Sequence, residues 1–210
     1  MSDGKKVAAE EAREKVLIIR DMLKDQCDEI VIAGRLRRGK ALVGDAEIVA
    51  LPTYAPNLLA RLDRMVAEQL IVKAAYGEKR TTRWGNKYRG FMYQGLRIEL
   101  FVAEPENWGY ILWLRTGPGE ANAWVMQQCI QKHAPYRAVD GYWTDVESGR
   151  RIRTADEAEM FRLLGINYVV PPQNRSLALY AGLMRYPRWA KDVHYVVSEE
   201  PPTSTQVSLF

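Results

Sequence analysis

Cysteine and histidine are scarce in this chain, which has two of each among 210 residues. Cys27 and Cys129 lie far apart, and neither has a second cysteine or a histidine at metal-ligand spacing. This spacing argues against a disulfide framework and against a zinc site. We expect His133 and His194 to be surface or structural residues rather than catalytic bases.

Long apolar runs are also missing. The N-terminus has no apolar core of the signal-peptide kind, and nowhere do about 18 uncharged apolar residues follow one another. We therefore expect a cytoplasmic protein with no membrane partner. Excess charge is small as well, because 30 Lys and Arg against 26 Asp and Glu give only +4. A polyanionic partner would have to bind a local basic surface.

Amphipathic segments follow one another in a clear order, and 47% of the residues are hydrophobic, enough for one large domain or two small ones. An opening helix is predicted at 7–24, where Ala12, Val16, Ile19 and Leu23 share one face, and a second helix around 58–66. Apolar or alternating runs predict strands at 29–33, 46–51, 71–76, 89–93 and 96–103.

Beyond Pro105 the pattern becomes mainly helical, with helices predicted at 105–114, 119–133 and 155–164 and a hairpin around 147–149. The predicted fold class is α+β. We predict a first domain at 1–104, a small helical and β-hairpin subdomain at 105–190, and a tail at 191–210.

Acidic side chains stand at alternating positions on two of the predicted strands. Asp45 and Glu47 project from the same face, because side chains two residues apart on a strand share a face. Glu99 has a similar setting between apolar neighbours and could complete a triad. Carboxylate oxygens on neighbouring strands suit hard divalent cations such as Mg²⁺. Two such ions would activate a hydroxyl nucleophile and stabilise a leaving pyrophosphate.

Glycines and arginines surround the first two carboxylates, in the segments Gly34 to Lys40 and Gly44 to Glu47. Triphosphate charge is met by guanidinium groups and by backbone N–H groups that glycine allows to come close. These segments resemble the G-S-x-R-R-G-K and G-D-x-D elements of family X DNA polymerases. The stretch RIELFVAEPENWGYILWLRTG is similar to that family's third-carboxylate strand with the helix and turn after it, and ADEAEMFRLLGINYVVPPQNR to its closing element.

The resemblance covers about residues 7–175 and implies a nucleotidyltransferase palm, a mixed sheet flanked by helices, followed by a nucleotide-binding thumb. No segment is left for the lyase domain that many relatives carry in front. It implies that Asp45, Glu47 and Glu99 hold two Mg²⁺ ions, with Mn²⁺ as a substitute, for transfer from a dNTP to a DNA primer on its template. The residues implied to bind the nucleotide are Gly34, Arg35, Arg38, Gly44, Arg115, Gly117 and Asn122.

Some positions depart from the family pattern. Arg35 stands where a serine is usual, and Glu47 and Glu99 replace aspartates, one methylene longer each. Leu114 and Arg115 replace an aromatic pair that often excludes a ribose 2′-hydroxyl. The choice between ribo- and deoxyribonucleotides is therefore left open.

A basic segment with interleaved aromatic residues precedes the third carboxylate. Its cations are Lys79, Arg80, Arg83, Lys87 and Arg89, with Trp84 and Tyr88 among them. Phosphate attraction combined with base stacking favours contact with primer or template DNA, to which Arg97 would add. A solvated hairpin whose cations only keep the protein soluble is the alternative.

The last residues, Gln206 to Phe210, resemble the bacterial sliding-clamp-binding pentapeptide. A Pro/Ser/Thr tether would present Leu209 and Phe210 as apolar anchors, with Gln206 supplying a hydrogen bond. The alternative is that the tip folds back onto its own protein.

We hence expect a monomeric gap-filling or repair polymerase, tethered to a clamp in a bacterial cytoplasm or a phage-infected cell. Two alternatives stay open. One is a template-independent or small-substrate nucleotidyltransferase, since one metal site can serve many acceptors. The other is a clamp-associated DNA-binding protein in which the longer carboxylates have weakened catalysis.

Overall fold

The structure, a computed structural model, describes residues 6–197 and has the α+β composition that the sequence predicts. Its main strands are β2 (Cys27–Ile32), β4 (Ala46–Pro52), β5 (Val72–Lys73), β8 (Tyr88–Tyr93) and β9 (Leu96–Val102). They form a mixed sheet in the order β2-β4-β9-β8-β5. The central pair, β4 and β9, is parallel, and the other neighbours are antiparallel.

Two helices cover one face of this sheet, α1 (Ala9–Leu23) and α3 (Ala55–Ala67). The apolar stripe of α1 is fully buried and packs with Leu58 and Leu62 of α3 against Ile48 and Ile98. Between the first two long strands lie α2 (Gly34–Arg37) and β3 (Leu42–Val43), and β3 pairs with the short β1 (Val7–Ala8).

The opposite face of the sheet is covered by α4 (Trp108–Thr116). Trp108 and Leu112 pack there against Val49 of β4 and Phe101 of β9. Residues two positions earlier on each strand share this face, because side chains alternate along a strand. Glu47 and Glu99 therefore continue the α4 side of the sheet.

A second core lies in the C-terminal part. Its elements are α5 (Gly119–Gln131), β10 (Tyr136–Val139), β11 (Tyr142–Asp145), β12 (Arg151–Ile152), α6 (Glu157–Leu163) and α7 (Leu177–Leu183). The three strands form an antiparallel sheet in chain order. Aromatic side chains dominate its interior, where the Trp113 indole donates to the Tyr180 hydroxyl at 3.1 Å and both side chains are fully buried.

Some predicted boundaries are wrong. The strand predicted at 71–76 divides into β5 and β6 (Ala75–Tyr76), and β6 leaves the sheet to pair with β7 (Thr81–Thr82). The helix predicted at 105–114 begins only at 108, because the Asn107 side chain accepts the Glu104 N–H at 2.8 Å and closes a turn before it. Among residues 6–197, no helix is long and apolar enough to cross a membrane.

Candidate functional site

The three carboxylates predicted from the sequence lie at one end of the parallel strand pair. Glu47 and Glu99 are register partners across β4 and β9, and Asp45 immediately precedes β4. Both glutamates point to the α4 side, where the sheet extends past the helix. All three carboxylates are half-buried.

Gly34 lies directly against one of these carboxylates. Its φ is +61°, which favours glycine, and a Cβ built on it would overlap the Glu47 carboxylate. The sequence predicts that this glycine lets the backbone approach a phosphate. In the structure it lets the start of α2 approach Glu47.

Burial raises the pKa of Glu47 to about 7, and repulsion from Asp45 and Glu99 adds to the effect. Arg115 and Arg38 oppose it but do not cancel it. Glu47 is thus about half protonated at neutral pH. Because a cation bound among these carboxylates would favour their charged forms, the cluster is chemically suited to a hard metal ion.

Within residues 6–197, no group of three or more His, Cys, Asp or Glu side chains is already gathered as a metal site. Asp45 and Glu47 line one cleft, whereas Glu99 lines another, and Arg115 belongs to the walls of both. The guanidinium of Arg115 stacks 3.8 Å from the centre of the Phe101 ring. Burial lowers the pKa of Arg115, while Glu47 and Glu99 act in the opposite direction.

The cleft beside Asp45 and Glu47 has a volume of about 460 Å³. Five of the seven residues predicted to bind a nucleotide line it, namely Arg35, Arg38, Arg115, Gly117 and Asn122. Gly34 is buried beneath it, and Gly44 precedes Asp45 in the chain. Five members of the sequence-based set therefore lie around one opening, although Arg35 and Asn122 are 87 positions apart in the chain.

The arginines of this cleft differ in what they contact. Arg38 donates to the carbonyls of Thr116 and Gly117 at 2.6 and 3.1 Å and so ties α2 to the end of α4. Arg35 is exposed at the rim. An exposed cation at the rim can bind a phosphate, whereas one terminal nitrogen of Arg38 already donates to the protein backbone.

Asn122 holds the corner between α4 and α5. Its Nδ2 donates to the Leu114 carbonyl at 2.7 Å, and its Oδ1 lies over Gly117, where a Cβ would overlap it. Among the residues described, that buried oxygen has no hydrogen-bond partner. Because this oxygen is not exposed to solvent, a ligand in the cleft does not reach it, and Asn122 serves here to hold the corner.

The second cleft, of about 590 Å³, opens on the Glu99 side. Arg83, Lys87 and Arg151 supply cations to its wall, and Tyr88 supplies aromatic surface. Phe101 is buried, because Tyr88 and Arg115 pack on its ring. Lys87 reaches across to the Asp140 carbonyl at 3.4 Å, between the two parts of the chain. Glu99, Glu104 and Asp140 line the same cleft, so its wall carries both signs of charge. Its cations and the Tyr88 ring are the groups suited to single-stranded nucleic acid.

The basic segment is partly as predicted. Lys79, Arg80, Arg83 and Lys87 are exposed, but Arg89 is buried and pairs with Asp63 at 2.9 Å. The expectation that Arg89 belongs to an exposed patch is wrong. Trp84 donates to Asp63 at 2.7 Å and packs beneath Arg89, so one of its faces is already covered. Arg97 lies over the Tyr76 ring at 5.3 Å.

Sequence reasoning missed two groups of residues. Arg37 donates to both oxygens of Glu157 at 3.0 and 2.8 Å, and Arg175 pairs with the same carboxylate at 2.8 Å. This cluster joins α2 to the C-terminal core. The second group is Tyr76 with Tyr88, whose hydroxyls meet beside Glu99. In the sequence, the one indication of this tyrosine pair was the presence of aromatic residues among the cations of the basic segment.

The clamp-like residues Gln206, Leu209 and Phe210 lie outside the described residues. Among known proteins, no family model and no curated protein matches the chain.

Proposed function

We propose that this protein is a family X type DNA polymerase that transfers a nucleotide from a dNTP to a primer 3′-hydroxyl, in gap filling or repair. Residues 1–104 act as its palm and residues 105–190 as its thumb. The observation that carries the proposal is the position of the carboxylate row, by which we mean Asp45, Glu47 and Glu99. This row lies along two clefts that share Arg115 in their walls.

In this proposal the smaller cleft receives the dNTP. Arg35 at the rim and Arg38 bind the triphosphate, because guanidinium groups are strong phosphate donors. Gly117 and Asn122 line the part of this cleft that would face the nucleoside. Arg115, in the wall shared by both clefts, lies where the two substrates would meet.

The larger cleft receives the primer end. Arg83 and Lys87, which line this cleft, neutralise backbone phosphates, and Tyr88 offers surface for stacking. Arg97, outside the wall of the cleft, would add a further cation. Glu99 then lies on the primer side of the row, and Asp45 and Glu47 on the nucleotide side. This division holds the acceptor hydroxyl and the α-phosphate in adjoining clefts, as an effective transfer requires.

Asp45, Glu47 and Glu99 would hold the Mg²⁺ ions, and Mn²⁺ could take their place. Such ions supply charge neutralisation for the triphosphate and lower the pKa of the attacking hydroxyl. The hard oxygen donors and the raised pKa of Glu47 fit this occupant.

The end of the tail, residues 206–210, would bind a sliding clamp and raise the local concentration of the enzyme at primer ends.

The test is extension of a labelled primer on gapped, nicked and single-stranded DNA, with Mg²⁺ or Mn²⁺ and with dNTPs or NTPs. We expect extension on gapped DNA that Asp45→Asn abolishes, while Asp25→Asn, an exposed aspartate at the end of α1, leaves it unchanged. Extension without a template would favour a template-independent transferase. DNA binding without any transfer would favour a clamp-associated binding protein, and either result would overturn the proposal.

A further inference from the structure

Two tyrosine hydroxyls meet beside Glu99. The Oη atoms of Tyr76 and Tyr88 are 2.8 Å apart, and Tyr76 donates to Glu99 Oε1 at 3.4 Å. Tyr88 is the first residue of β8, whereas Tyr76 ends β6, which has left the main sheet. Two segments thus converge on one carboxylate.

The sheet has a gap for the Tyr76 side chain. Gly90 of β8 is the register partner of Glu99, and a Cβ on Gly90 would overlap the Tyr76 hydroxyl. Glycine inside a strand weakens it and marks a place where another group approaches closely. In this chain the approaching group is the Tyr76 phenol, next to Glu99.

Packing fixes both rings. The guanidinium carbons of Arg83 and Arg97 lie 4.7 and 5.3 Å from the centre of the Tyr76 ring. The Tyr88 ring packs on Phe101 with centres 4.9 Å apart. Because cation–π and ring contacts restrain the phenols, their hydroxyls are held rather than free to rotate away.

The donors and acceptors that are available determine which way the hydrogen bonds of this tyrosine pair run. A glutamate carboxylate only accepts, whereas each phenol has one proton to donate. If Tyr88 donates to Tyr76, then Tyr76 donates to Glu99, and both protons are used.

We propose that Tyr76, supported by Tyr88, is a positioning residue that orients the Glu99 carboxylate toward the metal. The inference rests on the proposed function, since it counts Glu99 among the ligands. A glutamate has one more rotatable bond than an aspartate, so its oxygens need an additional restraint. A donor on one oxygen fixes the carboxylate plane and leaves the other oxygen for the cation, as outer hydrogen bonds do for metal ligands.

The experiment compares Tyr76→Phe with wild type in the full chain. Mn²⁺ affinity without nucleotide is measured from the electron paramagnetic resonance signal of free Mn²⁺, alongside kcat and KM for the dNTP. Loss of an outer-shell hydrogen bond typically weakens metal affinity or activity by about 10- to 100-fold. We expect Mn²⁺ affinity and kcat to fall in that range while KM for the dNTP stays unchanged, since Tyr76 does not line the nucleotide cleft.

Gly90→Ala provides an independent test, because it displaces the Tyr76 hydroxyl without removing it. We expect it to reproduce the Tyr76→Phe phenotype. Tyr54→Phe is the matched control, since Tyr54 is exposed and precedes α3. Thermal unfolding of every variant separates a loss of folding from a loss of metal affinity, and if Gly90→Ala does not fold, Tyr76→Phe decides alone.

Unchanged Mn²⁺ affinity and kcat in Tyr76→Phe would overturn the inference while leaving the proposed function standing. A wild-type protein that neither binds Mn²⁺ nor extends a primer would instead overturn the proposed function, and the inference with it. The two failures are distinct, because the first appears only in the variant.

Discussion

Glu47 and Glu99 face each other as register partners on the two parallel strands at the centre of the sheet. Like charges at directly opposed positions destabilise a sheet unless something compensates. Arg115 provides part of the compensation and burial works against it, so the pKa of Glu47 settles at about 7. Without a bound cation, the strand pair therefore carries like-charge repulsion once the pH rises above about 7.

This repulsion predicts that Glu47→Gln stabilises the metal-free protein. The pKa of Glu47 is raised from 4.5 to about 7, so the folded state binds more protons than the unfolded state between those values. Stability is then lost as the pH rises through that range. A pKa difference of this size corresponds to a loss of folding free energy on the order of 3 kcal/mol.

Thermal unfolding in EDTA at pH 5 and pH 8 measures the effect. Glu47→Gln should unfold at a higher temperature than wild type at pH 8, with a smaller difference at pH 5. Glu14→Gln, at an exposed position of α1, should show no such pH dependence. A variant that unfolds no later than wild type at pH 8 would contradict the prediction.

Glu157→Ala should be strongly destabilising. Its carboxylate accepts from Arg37 and pairs with Arg175, whose side chain is fully buried. Burial alone would raise the pKa of Glu157, but these arginines lower it overall. Its contribution to stability is thus present at neutral pH and lost as the pH falls through the lowered pKa.

Removing one partner of a buried ion pair costs about 3–5 kcal/mol, because the other charge is left uncompensated. Denaturant unfolding at pH 7 should show a loss in that range for Glu157→Ala. Glu68→Ala, whose exposed pair with Arg61 spans 4.0 Å, should cost about 0–1 kcal/mol. Equal losses in the two variants would show that the buried cluster does not join the two cores.

Local pattern was enough for much of the fold. The spacing of Val16 and Ile19 predicted the buried face of α1, and alternation predicted that Ile48 of β4 is buried. Alternation did not predict that Val49 and Phe101 on the other face are buried as well, because α4 covers them. The same alternation put Glu47 and Glu99 on strands, but it did not show that those strands are parallel neighbours. That register depends on packing between segments about 50 positions apart, which no local pattern records.

The partners of the charged side chains could not be predicted from the sequence either. Arg89 stands within a run of cations, yet it is buried because Asp63 and the Leu59 carbonyl accept from it. Arg37 and Arg38 are adjacent, but they bind different elements, Arg37 the Glu157 carboxylate and Arg38 the end of α4. The sequence shows where the charged residues lie along the chain, but only the fold determines which partners they bind.

Deleting residues 206–210 should abolish binding to a bacterial sliding clamp. Leu209 and Phe210 would be the anchors, so Phe210→Ala alone should lose most of the binding, whereas Ser204→Ala in the tether should not. Pull-down with purified clamp measures this, and extension of short free DNA should be unchanged. Full clamp binding by the deletion variant would remove the clamp from the proposal.

The exposed cations at the larger cleft should set the salt dependence of DNA binding. Arg83 and Lys87 line that cleft, and each phosphate they neutralise adds about 0.7 to 0.9 to the slope of log affinity against log salt. The double variant Arg83→Gln and Lys87→Gln should lower the slope by up to about twice that value. Lys24→Gln with Arg64→Gln removes two exposed cations near α1 and α3, which cover the opposite face of the sheet. Fluorescence anisotropy titrations from low to moderate salt compare the two pairs, and equal slopes would mean that the segment is only a solvated hairpin.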